Sequence, residues 1–162
     1  MKTDRIIIRM IDFYEGNVHD INHFLKVYAY AKIIGEAEGL DESTMNVIEA
    51  AAAVHDIACP LCREKYGAAD GRHQEIEGPK LARRMLSGMG LEDEFIERVC
   101  WLVGHHHTAA DVRKIDHQIL VEADYIVNAD EADYSKVNIK NERDRIFRTH
   151  TGKVILNSIY MD

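Results

Sequence analysis

The sequence predicts an all-α protein, a single compact helical bundle around a polar cleft, and three observations predict it. Apolar residues recur at three- and four-residue spacing over helix-length segments, as in Ile21, Phe24, Leu25, Tyr28, Ala31 and Ile34. Capping and stopping residues stand where such segments should begin and end, with Asp20 and Asp41 at starts and Gly39 at a stop. The run Ala50-Ala51-Ala52-Ala53-Val54 suits a helix buried on most sides, where small side chains let neighbours approach.

In chain order, residues 3–14 carry Ile6, Ile7, Ile8, Met10, Ile11 and Phe13, a helix-length run whose three isoleucines would also suit a strand. A long helix from Asp20 to about Glu38 follows, then one from Asp41 through the alanines to His55-Asp56. Residues 58–71 hold Pro60, Gly67 and Gly71 and read as a loop that could wall a site. A helix from about Arg72 to Ser87 contains Pro79, which predicts a kink or a later start. Two more helices, Glu92–Gly104 and 115–129, precede a charged and poorly patterned stretch, 130–145, read as a surface loop with weak helicity. Residues 151–161 form a short amphipathic terminal helix. No repeat or linker interrupts the chain, so residues 1–162 read as one domain.

Charge narrows the function. The formal net charge of −8 repels a phosphate backbone, which argues against long nucleic acid and leaves small phosphorylated ligands, held through a local positive centre. No stretch reads as the roughly 18–20 apolar residues of a membrane span, and the N-terminus lacks a signal-peptide pattern, so a cytoplasmic location is expected. Cys59, Cys62 and Cys100 fit reduced thiols; Cys59-Pro60-Leu61-Cys62 has no second CxxC to complete a zinc site. Either terminal helix offers a face for a homodimer.

The informative residues are polar ones at helix ends or on apolar edges: His23, His55, Asp56, His73, His105, His106 and Asp124. Each has an ordinary reading, as a satisfied core histidine, a capped carboxylate or a solvated helix end. Together, tens of residues apart, they let several helices contribute ligands to one cleft. Imidazole and carboxylate suit manganese, iron, nickel, cobalt or zinc better than calcium, with magnesium an alternative.

The order His23, His55-Asp56, Asp124 resembles the metal signature of the HD-domain phosphohydrolase superfamily, in its binuclear, HDIG-like branch. His23-Phe24-Leu25-Lys26-Val27 is similar to H-x-x-R-V, with lysine for arginine. Ala53-Val54-His55-Asp56-Ile57 resembles A-L-L-H-D-I, and His73 with Gly78 and Ala82 resembles the next histidine element. Leu102-Val103-Gly104-His105-His106 resembles I-x-x-H-H, and Val121-Glu122-Ala123-Asp124 the last acidic element. The resemblance spans about residues 18–130, leaving the first helix and the tail outside. Ala58 stands where the stricter form has glycine, and no Gly-Tyr-Pro follows His107, which separates this chain from the cyclic-dinucleotide-cleaving branch.

The resemblance implies two divalent transition-metal ions. His23, His55, Asp56 and Asp124 would hold one, with Asp56 bridging to a second held by His73, His105 and His106; His107 could replace one of that pair. Lys26 would contact substrate phosphate, and Asp56 would orient the ions and accept the proton of the attacking water. The implied function is metal-dependent hydrolysis of a small phosphoester, a nucleotide or pyrophosphate-type compound. The alternatives are a di-iron oxygenase of the same superfamily and a regulatory module that has kept its metal.

Overall fold

A computed structural model describes residues 3–110, 112 and 114–161. Among these residues nine helices and no strand are present: α1 (Thr3–Tyr14), α2 (Val18–Ala37), α3 (Glu42–Val54), α4 (Cys59–Tyr66), α5 (Gly71–Ser87), α6 (Asp93–Val103), α7 (Ile115–Glu131), α8 (Lys136–Ile146) and α9 (His150–Tyr160).

Helix α3 is the hub, packing against α1, α2, α6 and α7. Its alanines, Ala50 to Ala53, are all fully buried, and their short side chains let four neighbours close around one axis. Within the continuous stretch Glu42–Tyr66 an 18-residue window reaches the mean hydropathy of a membrane span, 1.2, but two-thirds of that window is buried in the bundle, and a turn at 55–58 divides the stretch. The isoleucine-rich first segment is helical because Ile6, Met10 and Tyr14 fall on one face and reach the core.

Two local expectations need correction. Asn17, not Asp20, caps α2, its side chain accepting from Asp20 N. Asp20 is thereby free to take a two-pronged bond from Arg63 of α4, at 2.6 and 3.0 Å. The expected loop 58–71 contains α4, with Pro60 in its first turn, where a missing N–H costs nothing. The weak helix expected within 130–145 is α8, capped by Ser135, with Ile139 as its buried residue. Pro79 remains inside α5, which runs on to Ser87.

The tail is fastened by one carboxylate. Glu122, fully buried on α7, accepts from Gln118 Nε2 at 2.6 Å, Arg148 N at 2.7 Å, Thr149 N at 3.0 Å and the Thr149 hydroxyl. A Cβ on Gly152 would overlap that carboxylate, so glycine is what lets α9 come so near. By this staple α7 holds the α8–α9 connection, and α8 lies along the cleft described below.

Candidate metal centre

The hub helix stops at Val54, and His55 and Asp56 follow in a tight turn. Tyr14 from α1 donates its hydroxyl to the Asp56 carbonyl at 2.8 Å and fixes that turn. Burial, with Asp56 nearby, holds the Tyr14 hydroxyl protonated.

Four donor atoms converge beside this turn. His23 Nε2 on α2 lies 3.2 Å from Asp56 Oδ2, 3.3 Å from Asp124 Oδ1 on α7 and 3.3 Å from His55 Nε2. His55 Nε2 lies 3.4 Å from Asp56 Oδ2 and 3.5 Å from Asp124 Oδ1. Ligands about 2.1 Å from a shared ion in tetrahedral array stand about 3.4 Å apart, so the spacing is that of a metal's ligand shell.

The ring orientations agree. His23 Nδ1 meets Glu131 Oε2 at 2.7 Å, His55 Nδ1 meets the Ala52 carbonyl at 2.8 Å, and His106 Nδ1 meets the Val103 carbonyl at 2.8 Å. An acceptor at Nδ1 makes Nδ1 the donor in the neutral ring and leaves the Nε2 lone pair facing inward. Lone pairs then face carboxylate oxygens, which is repulsive unless a proton or a metal cation stands among them. Burial disfavours charge on His23, but Asp124 and Asp56 outweigh it and raise the imidazole to about 11. The carboxyls of Asp56 and Asp124 lie below the usual range: burial opposes ionisation, and the facing imidazoles overcome it. Asn128 Nδ2 donates to Asp124 Oδ1 at 2.9 Å and sets its orientation.

A second set meets at the other oxygen of Asp56. Oδ1 lies 3.4 Å from His106 Nε2, a buried nitrogen with no hydrogen-bond partner. Asp56, His106 and His107 bring ligand atoms close enough to share one ion. Gln74 on α5 donates to the Ala69 carbonyl, so its Oε1 faces His107 Nε2 at 3.1 Å; a donor role there leaves the lone pair on His107 Nδ1. Burial and neighbouring His106 push His107 down to about 4, so the ring is neutral at pH 7. The close approach uses Gly71, where a Cβ would stand 2.8 Å from the His107 ring. The orphaned His106 nitrogen and the inward lone pairs fit divalent cations.

Three residues expected at the site are not among the groups whose ligand atoms meet, and each has a partner of its own. His73 bonds Asp70 through Nδ1 at 2.5 Å and stacks on Tyr66 with ring centroids 3.8 Å apart. His105 donates to the Trp101 carbonyl and stacks on that indole at 4.0 Å, in a wide groove of about 1570 Å³ on another face. Lys26 meets Glu131 Oε1 at 2.7 Å, so its ammonium braces the carboxylate behind His23. The expectation passed over Glu131, Gln74, Tyr14 and Asn128. Glu131 could have been found four residues beyond Val127 on the apolar face of α7; nothing in the sequence singles out the other three.

The HD domain family matches residues 20–131, and the chain belongs to that family, one of metal-dependent phosphohydrolases. Its fold is shared with a predicted HD superfamily hydrolase from an uncultured Thermotogales bacterium, at 24% identity and TM-score 0.67 over 97% of this chain and 82% of that one. The Lin1889 protein of Listeria innocua aligns at 17% identity and TM-score 0.62, over 100% and 93% of the two chains. Bacillus subtilis YpgQ, solved in complex with ADP, aligns at 17% and 0.60, over 99% and 92%. No curated protein matches the sequence.

Proposed function

We propose that the chain hydrolyses a small phosphoester of the nucleotide class with two divalent ions. The observation that carries this reading is the division of Asp56, with Oδ2 facing His23 and His55 and Oδ1 facing His106. A carboxylate divided in this way would let Asp56 serve both ligand sets, with His23, His55 and Asp124 on one side and His106 and His107 on the other. When bound, such ions supply positive charge to the phosphoryl oxygens and acidify the attacking water.

The chain's own residues do the rest. Asp56 and Asp124 hold negative charge between the imidazoles and are placed to receive a proton from water. Glu131 and the backbone carbonyls of Ala52 and Val103 keep three rings from rotating. His107, at the cleft edge, would hold the second ion together with Asp56 and His106. The ADP bound by the Bacillus subtilis neighbour supports a nucleotide-class substrate.

The test is phosphate release from a panel of nucleotides and pyrophosphate by protein loaded separately with manganese, iron, nickel, cobalt, zinc or magnesium. Release that is abolished by chelation and by Asp56→Ala is expected. No release with any ion, from protein shown to contain the metal, would overturn the reading.

A further inference from the structure

A cleft of about 350 Å³ opens directly from His106, His107 and Asp124, and its opposite wall is α8 with the turn before it. Arg145 on that wall is already engaged: its Nη2 stands 2.5 Å and its Nε 3.1 Å from Glu142 Oε2. The pair presents a neutral unit with a carboxylate edge. Tyr125 donates its hydroxyl to Asn138 Oδ1 at 2.8 Å, which fixes the amide and leaves its NH2 as a donor. The Tyr125 and Tyr134 rings stand side by side, centroids 5.6 Å apart, and Tyr134 is 37% exposed.

The two ends of the cleft therefore differ in chemistry. The histidine end suits a phosphoryl group beside cations. The α8 end offers two aromatic rings, an amide donor and a carboxylate edge, and among the described lining residues the guanidinium, that of Arg145, is neutralised by Glu142. A second phosphate pointing that way would meet Glu142. A neutral ring with hydroxyl or amino donors would find a face to stack on and acceptors to bond.

We propose that this cleft is the leaving-group subsite, shaped for the uncharged, ring-bearing, hydroxylated half of a phosphomonoester, the chemistry of a nucleoside. Tyr134, Asn138 and Glu142 determine its specificity. The inference rests on the phosphohydrolase reading for the placement of the phosphate.

Calorimetric titration of the metal-loaded full chain tests it, with adenosine 5′-monophosphate, ribose 5-phosphate and inorganic pyrophosphate as probes. The ring should tighten binding of the adenosine compound about tenfold over ribose 5-phosphate, and Tyr134→Ala should erase that ratio, with Tyr134→Leu as a bulkier control. Glu142→Gln removes the repelling charge and releases Arg145, so pyrophosphate should gain affinity relative to the adenosine compound. A merely structural Glu142 would not produce that gain. Wild-type protein that prefers pyrophosphate, or a ratio untouched by Tyr134→Ala, would overturn the subsite. Phosphate release is measured on the same samples, so intact affinities with no release would contradict the hydrolase reading alone.

Discussion

Glu131 stands behind His23: its Oε2 lies 2.7 Å from Nδ1 of the ring whose Nε2 faces Asp56 and Asp124. The same carboxylate takes Lys26 on its other oxygen, so ring, carboxylate and ammonium form one rigid chain behind the centre. Such partners fix a ligand's tautomer and typically govern about 10–100-fold in metal affinity. Glu131→Gln should weaken metal binding by about that factor while the far-ultraviolet dichroism stays helical. Competition against a chromophoric chelator measures it, and an unchanged affinity would remove Glu131 from the centre.

Protons and cations compete for the same lone pairs. In the metal-free protein His23 titrates at about 11, above its ordinary 6.5, so its ion pairs stabilise the fold fully below about 6.5 and lose that contribution as pH rises through 11. Asp56 and Asp124, held low, contribute above the ordinary carboxylate range and lose it as pH falls. A divalent ion must displace the His23 proton. The rise in Tm on adding metal should therefore grow from pH 6 to pH 9, and calorimetry in buffers of different ionisation enthalpy should show proton release. A metal-induced shift that shrinks over this interval would contradict the cluster's geometry.

The order of the converging residues along the chain was legible because His55-Asp56 closes an apolar helix and His23 and Asp124 lie among apolar neighbours within theirs, where polar groups need a reason. The azimuth of each histidine was not. His105, His106 and His107 follow the end of α6, where successive side chains turn by about 100° in a loosening coil, so one turns to Trp101 and two turn inward. His73 sits in the first turn of α5, and the Asp70 cap that starts the helix also captures its ring, leaving Gln74 to face His107. Helices α4 and α8 are short and charged, and burial of a few residues, Cys59 and Cys62 in one and Ile139 in the other, decides them. A hydrophobic pattern that thin supports at most the weak helicity read over 130–145 and gave no helix over 58–71.

Glu122 should be the costliest carboxylate outside the centre. Glu122→Ala strands a backbone pair, Arg148 N and Thr149 N, together with two side-chain donors, and should destabilise the fold by about 3 kcal/mol or more. Urea denaturation measures the loss. A change below about 1 kcal/mol would mean that water reaches these donors.

Tyr14 links the first helix, outside the family match, to the metal turn. Tyr14→Phe keeps the ring stacked near Phe24 but removes the bond to the Asp56 carbonyl, at a cost of about 1 kcal/mol. Metal affinity should fall with it, because the turn carrying Asp56 loosens. Stability lost without any change in metal affinity would make the bond a packing feature only.

The most direct measurement is elemental analysis of metal per chain, on protein purified anaerobically without chelator, for wild type and for His55→Ala, His106→Ala, His73→Ala and His105→Ala. Metal should fall sharply in His55→Ala and in His106→Ala, and should stay at the wild-type level in His73→Ala and His105→Ala. Depletion by His73→Ala as deep as that by His55→Ala would contradict a centre built on Asp56 with His23, His55 and Asp124 on one side and His106 and His107 on the other.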